Sequence, residues 1–218
     1  SKKFFSYLKK NKIYTNSVYL PNSSNLDLIK RKSRSFKLKK KFKFNFVYAG
    51  NIGLAQDFSN FEIFLEKLYK KNKNIKFHII GSGSYKKTLI KNIKHKNLSN
   101  IELYPYVENK YLYNYLKEAD VLFLSLKNSY IFNLTLPSKL QNYLYCNKPI
   151  LAWADGATKN IIDESNCGIA IKPGNISSLL KGTLKLVKKR NLKTIGYNSG
   201  NFYKKNFALN KIKKKLVL

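Results

Sequence analysis

Methionine is absent from all 218 residues, position 1 included, so the sequence reads as a fragment or a processed piece. Cysteine and histidine are nearly absent too. Cys146 and Cys167 have no metal-type spacing, and His78 and His95 cannot complete a cluster, so neither a disulfide framework nor a zinc site is expected. The cysteines read as small apolar fillers of a reduced, cytoplasmic chain. No apolar run approaches the ~20 residues of a membrane helix, VLFLSL at 121–126 being typical of the longest. The opening SKKFFSYLKKNKIY lacks the apolar core and cleavage site of a signal peptide, and no internal repeat is visible.

Acidic residues are scarce: 11 Asp and Glu stand against 43 Lys and Arg, a formal charge of +32. Two explanations remain. One is a basic module that binds nucleic acid or an anionic membrane surface. The other is compositional drift, since Lys, Asn, Ile, Phe and Tyr are abundant together and the lysines are scattered over every amphipathic segment with no nucleic-acid motif. Either way the surface favours anionic ligands.

What is present is regular alternation. Strands are expected at 42–50, 75–83, 100–107, 120–126, 148–154 and 167–171. Helices are expected at 58–71, 85–96, 109–119, after Pro137, at 158–166 and at 176–190. The segment 16–22 (NSVYLPN) also reads as a strand, and 23–41 as a polar, basic linker. Strands alternating with helices predict an α/β fold, a Rossmann-like doubly wound parallel sheet, with ligands at the carboxyl ends of its strands. Three parts follow: 1–41 as a strand-bearing segment plus linker, 42–190 as the Rossmann-like domain, and 191–218 as a basic helical tail.

Several loops at those carboxyl ends carry candidate chemistry. Gly50 and Gly53 in AGNIGLAQDF allow close backbone approach to a ligand, and GSG at 81–83 is a weaker signal without the third glycine of a dinucleotide fingerprint. Within LPSKLQ, Pro137 suits the first helical position. The free amides of Ser138 and Lys139, with a hydroxyl and an ammonium beside them, form a constellation for a phosphate or diphosphate. A bland reading stands beside this one: a proline-started helix with a solvated lysine. His78 reads as a pleat residue, Asp155 as a turn former, and Trp153 as either packing or cleft wall.

In order along the chain, VYAGNIGLAQDF, FHIIGSG, NIELYPYV, ADVLFLSL, LPSKLQNYL and KPILAWADGATKNIIDESNCGIAIKPGN resemble the nucleotide-sugar-binding half of GT-B glycosyltransferases, specifically the large retaining family four. The likeness covers roughly 42–190 and is nearest to bacterial members that build surface polysaccharides. The resemblance implies a nucleotide-diphosphate sugar, most often UDP-linked, as donor. It also implies a lipid-linked or saccharide acceptor, no metal or other cofactor, no nucleic acid, and work in the cytoplasm or at the inner face of an anionic membrane. The family's two glutamates fall on Asn133 and Gln141, and its Arg and Lys after the first strand fall on Asn51 and Gln56. Gln141 is then a ribose contact. The diphosphate relies on the Gly53 backbone, the helix started by Pro137, Ser138 and Lys139. Tyr106 and Val107 fall beside the base. The resemblance also implies that 1–41 is the end of the acceptor domain and the interdomain linker. It implies too that the acceptor domain supplies catalytic groups, and none is assigned here. The rival readings are the polyanion-binding module and a GT-B-fold sugar epimerase.

Overall fold

The computed structural model describes residues 1–28, 38 and 42–216. Six strands form one parallel sheet: β1 Phe44–Ala49, β2 Ile75–Ile80, β3 Ile101–Tyr104, β4 Val121–Ser125, β5 Ile150–Trp153 and β6 Gly168–Ile171. Their spatial order is β3-β2-β1-β4-β5-β6, so the winding reverses between β1 and β4. Such a reversal opens a crevice at the carboxyl ends, where this class of sheet binds ligands.

The helices are α1 Lys3–Lys10, α2 Asn25–Leu28, α3 Phe58–Lys71, α4 Lys86–His95, α5 Asn109–Leu116, α6 Tyr130–Leu134, α7 Ser138–Tyr145, α8 Ala157–Ser165, α9 Ile176–Val187, α10 Leu192–Asn206 and α11 Leu209–Leu216. Alternation along each strand splits the core in two. Phe46 and Tyr48 of β1 point to the face covered by α3, α4 and α9, where Phe61, Phe64, Phe77 and Phe123 pack together. Val47 and Ala49 point to the other face, covered by α5, α7, α8 and α10. Trp153 is fully buried on the α3 side and donates through Nε1 to the Lys172 carbonyl at 3.2 Å, which settles it as packing.

Other expectations shift. The segment 16–22 forms no strand, because it pairs with neither sheet edge and an extended chain without a ladder partner is simply coil. Within the expected linker, 25–28 is instead a helical turn with Leu26 buried. Residues 29–37 and 39–41 lie outside the described residues. That turn is docked rather than loose: Asn142 Oδ1 accepts from the Ser24 hydroxyl at 2.7 Å and the Asn25 amide at 3.1 Å, and Tyr203 donates to Asp27 at 2.8 Å. In the basic tail, Tyr203, Phe207 and Ile212 turn inward to the core. Among the described residues, no helix is long and apolar enough to cross a membrane.

Candidate functional site

The crevice between β1 and β4 opens into a cleft of about 420 Å³. Its walls are the loops after β1, β2 and β3 and the start of α7, and its lining includes Gly50, Asn51, Gln56, Gly81, Tyr106, Val107, Ser138, Lys139 and Asn142. Among the described residues its lining offers amides, hydroxyls and one ammonium, with no carboxylate.

The two glycine loops are stitched to each other. The Gly50 amide donates to the Ile80 carbonyl at 2.9 Å, the Ile52 amide to Ser82 at 2.8 Å, and the Tyr85 amide back to Ile52 at 2.9 Å. Gly81 has φ +149°, and a Cβ there would stand 2.0 Å from the Gly50 carbonyl oxygen, so this approach admits only glycine. Below it, Gln56 is buried and its Oε1 accepts from the Gly53 amide at 3.2 Å and from Asn51 at 3.4 Å.

α7 carries the polar floor. Pro137 is the N-cap, with φ −68° and ψ 137°, rather than the first helical residue the sequence suggested. Its ring holds the extended conformation that precedes the first turn, and the helix begins one residue later. The consequence for the site is unchanged: Ser138 and Lys139 have no preceding helical carbonyl to bond, so among the described residues their amides have no acceptor. Two side chains one turn apart tie α7 to the end of β1. Tyr143, fully buried, accepts from the Ala49 amide at 2.9 Å. Lys139 reaches across Gly50 to the opposite face of the sheet, where Nζ lies 4.1 Å from the Tyr48 ring centroid and donates to the Tyr48 hydroxyl at 2.7 Å. Burial at the cleft floor lowers the Lys139 ammonium to about 7, while the ring face and hydroxyl beneath it work the other way.

Asn51, Gln56, Tyr106, Val107, Ser138 and Lys139 thus line one cleft, with Gly53 bonded to Gln56 beside it. Gln141 and Asn133 are not among the lining residues. Gln141 is two residues from Lys139, about 200° around the helix. It is buried, lines a separate hollow shared with Pro21 and Asn22, and its amide nitrogen, oriented to satisfy its neighbours, donates to the Pro137 carbonyl at 2.8 Å. Asn133 donates to Asn128 at 3.1 Å, and its backbone closes on Gly156. Asp155 accepts from the Gly156 amide at 2.7 Å, a turn former. His78 is buried in β2 between Asn45 and Tyr104. Cys146 and Cys167 are buried and not joined in a disulfide, and burial pushes the Cys167 thiol up to about 11, so it is inert at neutral pH.

Sequence reasoning missed Lys86, which reads as an outer-face lysine. Its ammonium donates to the Gly81 carbonyl at 2.6 Å and the Tyr104 carbonyl at 3.0 Å, tying together the ends of β2 and β3 behind the cleft wall. Its place after the GSG turn was the only signal. Tyr48 was missed as well, appearing in the sequence as one more β-strand aromatic. Among the described residues no three His, Cys, Asp or Glu side chains gather.

Solved structures share this architecture. S. aureus TarM, in a complex containing UDP, superposes with a TM-score of 0.64 at 19% identity, over 93% of this chain and 38% of TarM. The pneumococcal O-GlcNAc transferase GtfA, with UDP and GlcNAc, gives 0.69 at 14% identity, over 99% of this chain and 42% of GtfA. The C-terminal domain of LpcC, a glycosyl transferase group 1 family protein from Francisella tularensis, gives 0.64 at 16% identity, over 84% of this chain and 98% of that domain. The chain therefore spans less than half the length of TarM or GtfA. No curated protein matches the sequence. The profile of one family, Glycosyl transferases group 1, matches residues 29–200, and with that match running through β1 to α10 the chain belongs to the glycosyl transferases group 1 family.

Proposed function

We propose that this chain is the donor-binding half of a retaining glycosyltransferase and holds a nucleoside diphosphate sugar, UDP-linked, in the β1/β4 cleft. One observation carries the reading: Lys139 sets its ammonium and its own free amide, with that of Ser138, at the floor of a crevice with no carboxylate among its described lining residues. An anion of two phosphates meets there a point charge, a helix dipole and unpaired N–H donors. Tyr106 and Val107 wall the same cleft and are placed to flank the base. UDP in TarM and GtfA supports the choice of nucleotide.

In this reading the sugar passes to a saccharide or lipid-linked acceptor of a surface polysaccharide. The acceptor and the catalytic groups belong to a second domain, and the work is done in the cytoplasm at an anionic membrane face without a metal. Calorimetric titration with UDP, GDP and their sugars tests the donor site. UDP should bind with a preference over GDP, and silence toward all of them at millimolar concentration would end the reading.

A further inference from the structure

Tyr48 belongs to the aromatic core on the α3 face and is fully buried, yet its hydroxyl rises past the end of β1 to the cleft floor. There it accepts from Lys139 Nζ at 2.7 Å and donates to the Asn51 carbonyl of the glycine loop. The lysine comes from the other side of the sheet and passes close over Gly50, where a Cβ would stand 3.2 Å from Nζ and push it aside by a few tenths of an ångström. A lysine has four rotatable methylenes and would otherwise sample the whole cleft mouth.

Resting on the nucleotide-sugar reading above, we infer that Tyr48 is the positioning residue of the anion site: it holds the Lys139 ammonium over the β1 end, beside the free amides of α7. Described ionisable groups come from the elements around the cleft. β1 contributes Tyr48, α7 contributes Tyr143 one turn on, and the loop after β3 contributes Tyr106. From α4, Lys86 lies behind the Gly81 carbonyl and adds a second positive charge. Among the described residues no carboxylate lines the cleft, and the phenol ring and its hydroxyl are the groups in contact that favour the charged lysine. Burial alone lowers it to about 7.

Two measurements on the whole chain test this. UDP titrations compare the unmodified chain, Tyr48→Phe, Lys139→Gln and the double variant, and the pH profile of Lys139 acetylation by acetic anhydride is read by mass spectrometry. Losing one hydrogen bond should weaken UDP roughly three- to tenfold in Tyr48→Phe. It should also move the onset of Lys139 acetylation to lower pH, because the ammonium loses its acceptor. In the Lys139→Gln background Tyr48→Phe should cost nothing further. Equal losses in both backgrounds, with UDP still bound and the acetylation profile unmoved, would reduce Tyr48 to core packing and overturn the inference alone. No UDP binding by the unmodified chain would remove the nucleotide reading and this role with it. Should Tyr48→Phe fail to fold, ring-labelled tyrosine NMR of the unmodified chain decides instead. The Tyr48 signal must follow the Lys139 titration, and a signal indifferent to it overturns the role.

Discussion

The Lys139 ammonium sits 4.1 Å above the Tyr48 ring, although the two side chains start from opposite faces of the sheet and lie 91 residues apart. The contact closes over Gly50 and joins α7 to β1 where the winding of the sheet reverses. A cation is thereby fixed at a point of the fold where phosphate-binding geometry is built into the backbone.

Removing that cation tests the site directly. A charge-assisted contact at a helix start contributes ~1.5–3 kcal/mol, so Lys139→Ala should weaken UDP by roughly tenfold or more. Lys139→Arg should recover only part, because a planar fork does not replace a point charge under the Tyr48 hydroxyl. Lys110→Ala is the control, since that ammonium pairs with Glu108 at 2.6 Å and lies outside the cleft lining. Lys86 cannot serve as one, because it ties β2 to β3. Titration calorimetry on the three variants decides; equal losses for Lys139→Ala and Lys110→Ala would reduce the site to background charge.

Holding Lys139 in the cleft has a stability consequence whose sign is fixed. Its folded value, about 7, lies below the ordinary 10.5, so the unfolded chain binds more protons between the two. The cost is fully present below pH 7 and fades as pH rises toward 10.5. Lys139→Gln should therefore gain more stability over the unmodified chain at pH 6 than at pH 10, measured by urea denaturation. A gain independent of pH would contradict the depressed value.

How far the sequence reached depends on the length scale of each interaction. The spacing of Phe58, Phe61, Phe64, Leu65 and Leu68 predicts the helix over 58–71 because those residues share one face, and all are buried in α3. The six strands were equally legible as short apolar runs closed by turns. α6, at five residues, carries too little periodicity to read, and α1 buries no side chain to give it a pattern. The supposed strand at 16–22 has β-forming residues but joins no ladder among the described residues, which composition cannot reveal. For the cleft, the Pro137 helix start was local and visible. Tyr48 and Lys86 act through contacts made only when distant loops meet. The sides of α7 taken by Lys139 and Gln141 follow from helical phase, a signal present in the sequence but not used.

The glycine loops offer a contrast between two positive-φ glycines. A methyl at Gly81 would strike the Gly50 carbonyl at 2.0 Å, whereas one at Gly174, φ +90°, meets nothing within 4 Å. Gly174→Ala should cost only backbone strain, ~1–2 kcal/mol. Gly81→Ala must also push the two loops apart, so it should cost distinctly more and weaken UDP binding as well. Denaturation midpoints of both variants give the comparison, and equal costs would mean the loop contact is soft.

Salt distinguishes a built site from a charged surface. With a formal charge of +32 the chain will gather polyanions, and such binding falls steeply with salt because each neutralised phosphate or sulfate releases counterions. UDP at Lys139 engages one ammonium and neutral amide donors in a half-buried cleft, where screening is weaker. Raising salt from ~50 to ~200 mM should cost a single-stranded oligonucleotide contacting several lysines on the order of a hundredfold or more in affinity. For UDP the loss should stay within a few-fold, and its preference over GDP should survive. The same titrations on Lys139→Ala should show a shallower salt slope for UDP and an unaltered one for the oligonucleotide. If UDP and the oligonucleotide instead share one steep slope, and Lys139→Ala leaves both unchanged, the surface field binds the nucleotide and the cleft does not.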